Sequence, residues 1–219
     1  MHFEILIEDA SGELPLSSLL PKILGENGAP HTWRTHAYKG IGRIPRGLQG
    51  KTDPWKRFIL DQLPRILAGY GKSLHATDSA VVVVVDLDER DCIGFKQELL
   101  RVQRQCHPRP KVLFRLAIEE VEAWLLGDSD AIVKAFPRAR TNILHSYRQD
   151  SICGTWEVLA DALFPGGSPA LKAAGYPRIG EEKCKWASLI GRHLDVESNL
   201  SPSLRVFRSG LLKLCGTEE

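Results

Sequence analysis

The feature that most constrains this chain is the unbroken run Val81-Val82-Val83-Val84-Val85. It is β-branched throughout and has no polar alternation, so a strand made from it must bury both faces. A central strand of a sheet covered by helices on both sides provides that environment. The neighbouring segments supply the rest of such an architecture. Phe3 to Ile7 reads as a short apolar strand ending in Glu8-Asp9, and Leu14 to Leu24 carries apolar residues at helical spacing. His31 to Tyr38 alternates as a second strand. The stretch from Lys39 to Gly47 is a loop, and Pro54 to Gly69 is a helix that Pro64 is expected to kink or interrupt. After the valines, Asp86 to Asp91 can cap a helix through roughly Cys106. Lys111 to Ile118 then forms a fourth strand before the helical Glu119 to Leu126.

This alternation predicts an α/β fold, a mostly parallel sheet flanked by helices and joined by right-handed crossovers. From about Ser129 the pattern turns helical, with patches at Trp156 to Leu163, Glu181 to Ile190 and Ser203 to Leu214 separated by Pro/Gly loops such as Phe164 to Gly167. Residues 1–128 are therefore read as the α/β domain, and 129–219 as a helical C-terminal extension packed on the same domain.

Charge and cysteine usage narrow the function classes. The formal net charge of +2 carries no whole-molecule basic excess, so any nucleic-acid surface must be local. The five cysteines lack a CxxC pair, which argues against a disulfide framework or a cysteine zinc site and for reduced thiols in a cytoplasmic protein. The longest wholly apolar run, Ala80 to Val85, is too short to cross a bilayer, and the N-terminus opens on a strand instead of a signal peptide, so no membrane partner is expected. The seven histidines lack HxH and HExxH spacing, leaving carboxylates as the candidates for a metal site.

In open parallel sheets the functional crevice lies beyond the carboxyl ends of the strands. Acids stand at three such ends: Glu8, the Asp86/Asp88 pair, and Glu119, Glu120 and Glu122. If the first and third strands are neighbours, Glu8, Asp86 and Asp88 converge, and a hard divalent cation relieves their repulsion. Magnesium suits oxygen-only ligation, and Glu120 or Glu122 can serve a second ion or orient water. The plainer reading of Asp86 and Asp88 is helix capping, and Asp9, Glu89 and Asp91 are read as caps or solvent-facing residues.

Three segments together resemble a known group: Phe3 to Glu8 leading into a helix, Val81 to Asp88, and Ile118-Glu119-Glu120-Val121-Glu122-Ala123-Trp124-Leu125-Leu126. They look like a TOPRIM domain with a Rossmann-like sheet, and more narrowly like a bacterial TOPRIM-like family with an EAWLL signature. The resemblance extends to Asp150 to Glu157 and Glu182 to Ala187. It implies a glutamate and a DxD pair that bind magnesium, or manganese, for phosphodiester chemistry, which here are Glu8, Asp86 and Asp88. One departure is Asp9, where many relatives have glycine after the glutamate. OLD-type nucleases carry this domain, so an ATPase partner and a role in phage defence are implied as well, although the chain has no ATP-binding loop of its own.

Between His31 and Lys72 nine Lys/Arg face two acids, Asp53 and Asp61. Within this stretch Lys39, Arg43, Arg46 and Lys51 are candidates to neutralise phosphates beside the acidic crevice, the bland alternative being a solvated loop. Lys183 and Lys185 can add phosphate contacts or balance Glu181 and Glu182. The five tryptophans are read mainly as core anchors, with Trp33 and Trp55 flanking the basic loop. The leading expectation is a magnesium-dependent nuclease or related phosphodiester-processing enzyme acting on DNA or RNA. The alternatives are a non-catalytic nucleic-acid-binding or regulatory subunit and a small phosphate-ester hydrolase.

Overall fold

The structure, a computed structural model, describes residues 1–45, 55, 57–75, 77–118, 120–151 and 154–217. Strands β1 (His2–Ile7), β2 (Thr32–Ala37), β3 (Ser79–Asp86) and β4 (Val112–Ala117) form one all-parallel sheet in the order β2-β1-β3-β4. The valine run occupies an interior strand, as its composition requires. Ala80, Val82 and Val84 pack into one core, with Leu16, Leu20, Trp124, Trp186 and Phe207. Val81, Val83 and Val85 pack into the other, with Leu60, Leu63, Leu67, Phe95 and Leu99. Each buried valine contributes about 1.5 kcal/mol, so a polar residue here costs the sheet on either face.

Helices α2 (Ile59–Ser73) and α3 (Cys92–Arg104) cover the second face. The first is covered by α1 (Ala10–Leu24) together with the helices after β4: α4 (Glu122–Leu126), α5 (Ser129–Ala135), α6 (Thr141–Ser146), α7 (Thr155–Leu163), α8 (Gly167–Ala174), α9 (Tyr176–Gly191) and α10 (Pro202–Cys215). The later helices are tied in by specific polar contacts. Lys22 Nζ donates to the carbonyls of Gly191, Arg192 and Leu194 at 2.6–3.1 Å, satisfying the open end of α9. Trp124 donates through Nε1 to Ser203 Oγ at 2.9 Å and stacks on Phe207, which locks α10 over α4. Trp124 and Trp186 are thus the core anchors expected of them.

Some elements depart from the sequence pattern. Helices α5, α6 and α8 were not expected; each spans only six to eight residues, too few for a helical period to stand out. The Pro/Gly stretch at 164–167 leads directly into α8, because Gly166 and Gly167 take positive φ at its start. The start expected at Pro54 lies outside the described residues, and α2 begins at Ile59 and continues through Pro64. Pro64 is buried there, so packing offsets its lost backbone hydrogen bond. The helix expected from Glu119 starts at Glu122. Among the described residues no helix is long and apolar enough to cross a membrane.

Candidate functional site

Because every strand is parallel, the residues following β1, β3 and β4 gather at one end of the sheet. Glu8 follows β1, and its Oε2 accepts a hydrogen bond from the Asp86 backbone N–H at 3.1 Å. Asp86 closes β3, and its Oδ1 accepts from the Val121 N–H at 3.1 Å. These two bonds tie the loop after β4 to the end of β3 and bring three strand ends into one constellation. Burial raises the Glu8 carboxyl to about 7, aided by the charges of Asp88 and Asp9 and opposed by the Asp86 N–H and by Arg90. Burial likewise pushes Asp86 well above the carboxylate range, with Glu8 and Glu122 adding to it and Lys183 opposing.

Lys183, from α9, enters the same cluster. Its Nζ lies 3.2 Å from Glu122 Oε1 and 3.5 Å from Glu120 Oε1. Burial works against the ammonium charge, but Glu122, Glu120 and Asp86 outweigh it and hold Lys183 above its ordinary range. Glu122, buried at the first position of α4, is raised by desolvation despite this partner. Glu120 has a second attachment: its Oε2 accepts from Thr155 Oγ1 at 3.0 Å and the Trp156 N–H at 3.3 Å, at the start of α7. Lys185 does not join the cluster; it is exposed and pairs with Glu182 at 3.4 Å. Two residues along a helix is a rotation of about 200°, which separates Lys185 from Lys183.

Asp88 sits at φ 50°, a left-handed conformation that aspartate tolerates better than most residues, and its carboxylate pairs with Arg90 at 2.9 Å. Arg90 also lies 5.2 Å above the Phe95 ring. Beside them opens a cleft of about 510 Å³ lined by Asp88, Glu89, Arg90, Glu120, Gly154, Trp156 and Glu157. A second cleft of about 510 Å³ includes Arg43, Arg90, Asp91 and Glu98, so Arg90 borders both. Arg43 is exposed and its backbone N–H donates to Asp61 at 3.2 Å. Lys39 is exposed next to Gly40, whose N–H donates to the Glu8 carbonyl at 2.9 Å. The described start of the β2–α2 connection, at Lys39 to Arg43, therefore lies beside the acidic constellation. Arg46 and Lys51, like Glu119, lie outside the described residues. Asp9 and Asp91 are helix caps, accepting from Gly12 and Gly94.

Sequence reasoning missed three participants. Trp156, half-buried against the main core as expected, also lines the cleft, Glu157 stands beside it, and Lys172 pairs with Glu157 at 3.2 Å while lying 5.5 Å from the Trp156 ring centroid. The available signal was Gly154, whose φ of 99° starts α7 and turns this segment toward the strand ends.

Among the described residues, no three His, Cys, Asp or Glu side chains are arranged as a metal-holding group. The donor chemistry nevertheless suits a hard cation. Glu8 and Asp86 each give one oxygen to a backbone N–H, which leaves each a second carboxylate oxygen, and their elevated protonation reflects burial and unrelieved repulsion. Comparison with protein-family models, curated proteins and solved structures returned no match to this chain.

Proposed function

We propose that this protein is a magnesium-dependent nuclease, or a related phosphodiester-processing enzyme, of TOPRIM type. The observation that carries the reading is the convergence of Glu8 on Asp86, and of Asp86, Glu120 and Glu122 on the half-buried Lys183, at the carboxyl end of a parallel sheet. Glu8, Asp86 and Asp88 would hold the cation, magnesium or manganese, whose chemistry is to polarise a phosphodiester oxygen and lower the pKa of bound water. Lys183 supplies a counter-charge to Glu120 and Glu122, the acceptors for an attacking water, and offsets negative charge developing nearby. Lys39 and Arg43 position the phosphate backbone, and the nucleic acid passes Arg90 between the two clefts. In the cytoplasm such an enzyme serves phage defence, with an ATPase partner supplying the nucleotide-binding loop this chain lacks.

The test is cleavage of single- and double-stranded DNA and RNA by the purified protein in magnesium or manganese, against EDTA and Asp86→Asn controls. Metal-dependent cleavage lost in Asp86→Asn is the expected result. Inactivity of the wild type on every substrate, with and without an ATPase partner, overturns it. A second reading, a non-catalytic nucleic-acid-binding or regulatory subunit, is favoured by one feature: Lys183 already supplies a counter-charge to Glu120 and Glu122. On that reading the protein binds nucleic acid without cleaving it, and removing metal changes nothing.

A further inference from the structure

We infer that the cleft beside the carboxylates seats one unpaired base of a single-stranded nucleic acid, with Trp156 as its stacking surface; this rests on the nuclease reading above. The cleft is chemically asymmetric. Four of its lining residues, Asp88, Glu89, Glu120 and Glu157, are acids, and the cations beside them, Arg90, Lys183 and Lys172, are each already paired with one of these acids. A phosphate on that wall meets repulsion, whereas an uncharged base does not. The volume, about 510 Å³, falls in the range of small-molecule sites and accommodates a single nucleotide. The indole of Trp156, half-buried against the main core, is the one aromatic ring among the described residues in the wall of the cleft, and its backbone N–H is fixed by Glu120 at 3.3 Å, which ties this residue to the carboxylate cluster. Lys172, exposed and held by Glu157 with its ammonium 5.5 Å from the same ring centroid, bounds the seat on that side. A base within a duplex has both faces stacked, so entry into such a seat requires an unpaired or extruded nucleotide.

The experiment measures binding in calcium and cleavage in magnesium for wild type, Trp156→Leu and Trp156→Phe. The probes are a fluorescein-labelled single strand of about eight nucleotides, its DNA and RNA versions, the same strand carrying abasic positions, and the duplex. Leucine retains apolar packing without a π-face, and phenylalanine retains the ring; melting temperatures establish that both variants are folded. Trp156→Leu is expected to weaken binding of the base-bearing strand about tenfold and to leave the abasic strand unchanged, with Trp156→Phe within about threefold of wild type. Wild type is expected to prefer the single strand to the duplex. Equal loss on abasic and base-bearing strands, or no loss at all, overturns the inference while Asp86-dependent cleavage keeps the nuclease reading standing. Absence of both binding and cleavage in the wild type overturns both.

Discussion

Glu4 and Glu8 lie four residues apart around one strand, and both are withdrawn from solvent, yet their carboxyls move in opposite directions. Glu4 points to the α2 face of the sheet, where His36 Nε2 lies 2.6 Å from Oε2, His2 Nε2 lies 3.1 Å from Oε1, and the Tyr70 hydroxyl donates at 3.2 Å. Burial pulls its pKa up, but the two histidines pull it down further, and it settles below the ordinary value. Glu8 faces Asp88 and Asp9 instead, and burial carries it up to about 7. Burial raises both carboxyls, and the partners decide what remains: two histidines reverse the shift at Glu4, whereas the acids beside Glu8 add to it. Glu4 is partnered within the fold, whereas Glu8 and Asp86 stay raised among further acids, the feature on which the proposed cation site rests.

The sharpest way to break this comparison is to neutralise one acid at each place. Asp86→Asn is expected to lower cleavage about a thousandfold while leaving the melting temperature equal or higher, because the amide replaces a group whose charged form burial and its acidic neighbours disfavour and keeps an acceptor for the Val121 N–H. Glu4→Gln is expected to do the reverse: cleavage within about twofold of wild type, with about 1–2 kcal/mol of stability lost as the charge-assisted bonds to His36 and His2 disappear. Denaturant titration and a turnover assay on both variants check the pair. A Glu4 variant that loses activity without losing stability would erase the distinction.

Lys183 offers the next contrast, against Lys185 on the same helix. Lys183→Ala leaves the buried Glu122 without its cation, and unfolding in urea is expected to show a loss of about 3 kcal/mol. Lys185→Ala removes an exposed partner of Glu182, which retains Arg178, and is expected to change stability by less than about 0.5 kcal/mol. Equal effects would mean that Lys183 is an ordinary surface pair.

A pH series sharpens the comparison further. The folded Glu8 pKa stands above its unfolded value, so between about pH 4.5 and 7 the native state holds a proton that the unfolded chain has lost. Stability from this group is present at low pH and declines as pH rises through about 7. Measured as wild type minus Glu8→Gln in EDTA, the decline is expected to be on the order of 2 kcal/mol after solvent screening. Magnesium should abolish it, because the cation takes the place of the proton. Glu4 has the opposite sign: its contribution is present above the unfolded carboxylate pKa and is lost as pH falls through its lowered folded value.

The valine run and the apolar periods made the parallel sheet and the α1, α2 and α3 layers legible, because each of those segments must satisfy a covered surface over several turns or residues. Helices α5, α6 and α8 were hidden by their shortness. Glu8 and Asp86 could be found because they directly end apolar strands. The Glu4 cluster was passed over because its pairing with His36 depends on the β1–β2 register, Glu4 opposite Arg34 and Leu6 opposite His36, which is a tertiary fact. Lys183 and Lys185 carry identical local signals, and only the rotation of α9 against α4 separates them. The apolar neighbours Val158, Leu159 and Ala160 mark Trp156 as a core residue, and it does pack there; its second role in the wall of the cleft follows from the left-handed turn at Gly154, which no apolar pattern reveals.

The smallest expected effect concerns the basic side of the site, where charge is exposed and therefore screened. Arg34, Lys39, Arg43, Arg57, Arg65 and Lys72 are all exposed along β2, α2 and the connection between them, and none makes an ion pair with another described residue. If Lys39 and Arg43 each neutralise one phosphate, Lys39→Gln and Arg43→Gln should each weaken binding by about two- to fivefold at moderate salt. Each should also make the slope of log affinity against log salt shallower by roughly 0.7–0.9. The loss should be the same for every sequence tested, because a phosphate contact carries no base information. Lys72→Gln, at the far end of α2 from the crevice, is the internal control and should leave the slope unchanged. A shallower slope for all three variants would mean that the whole face attracts nucleic acid diffusely, and the path past Arg90 would lose its support. Unchanged slopes for Lys39 and Arg43 would return both residues to ordinary solvated surface, and the proposed substrate path would rest on the carboxylate end of the sheet and its cleft alone.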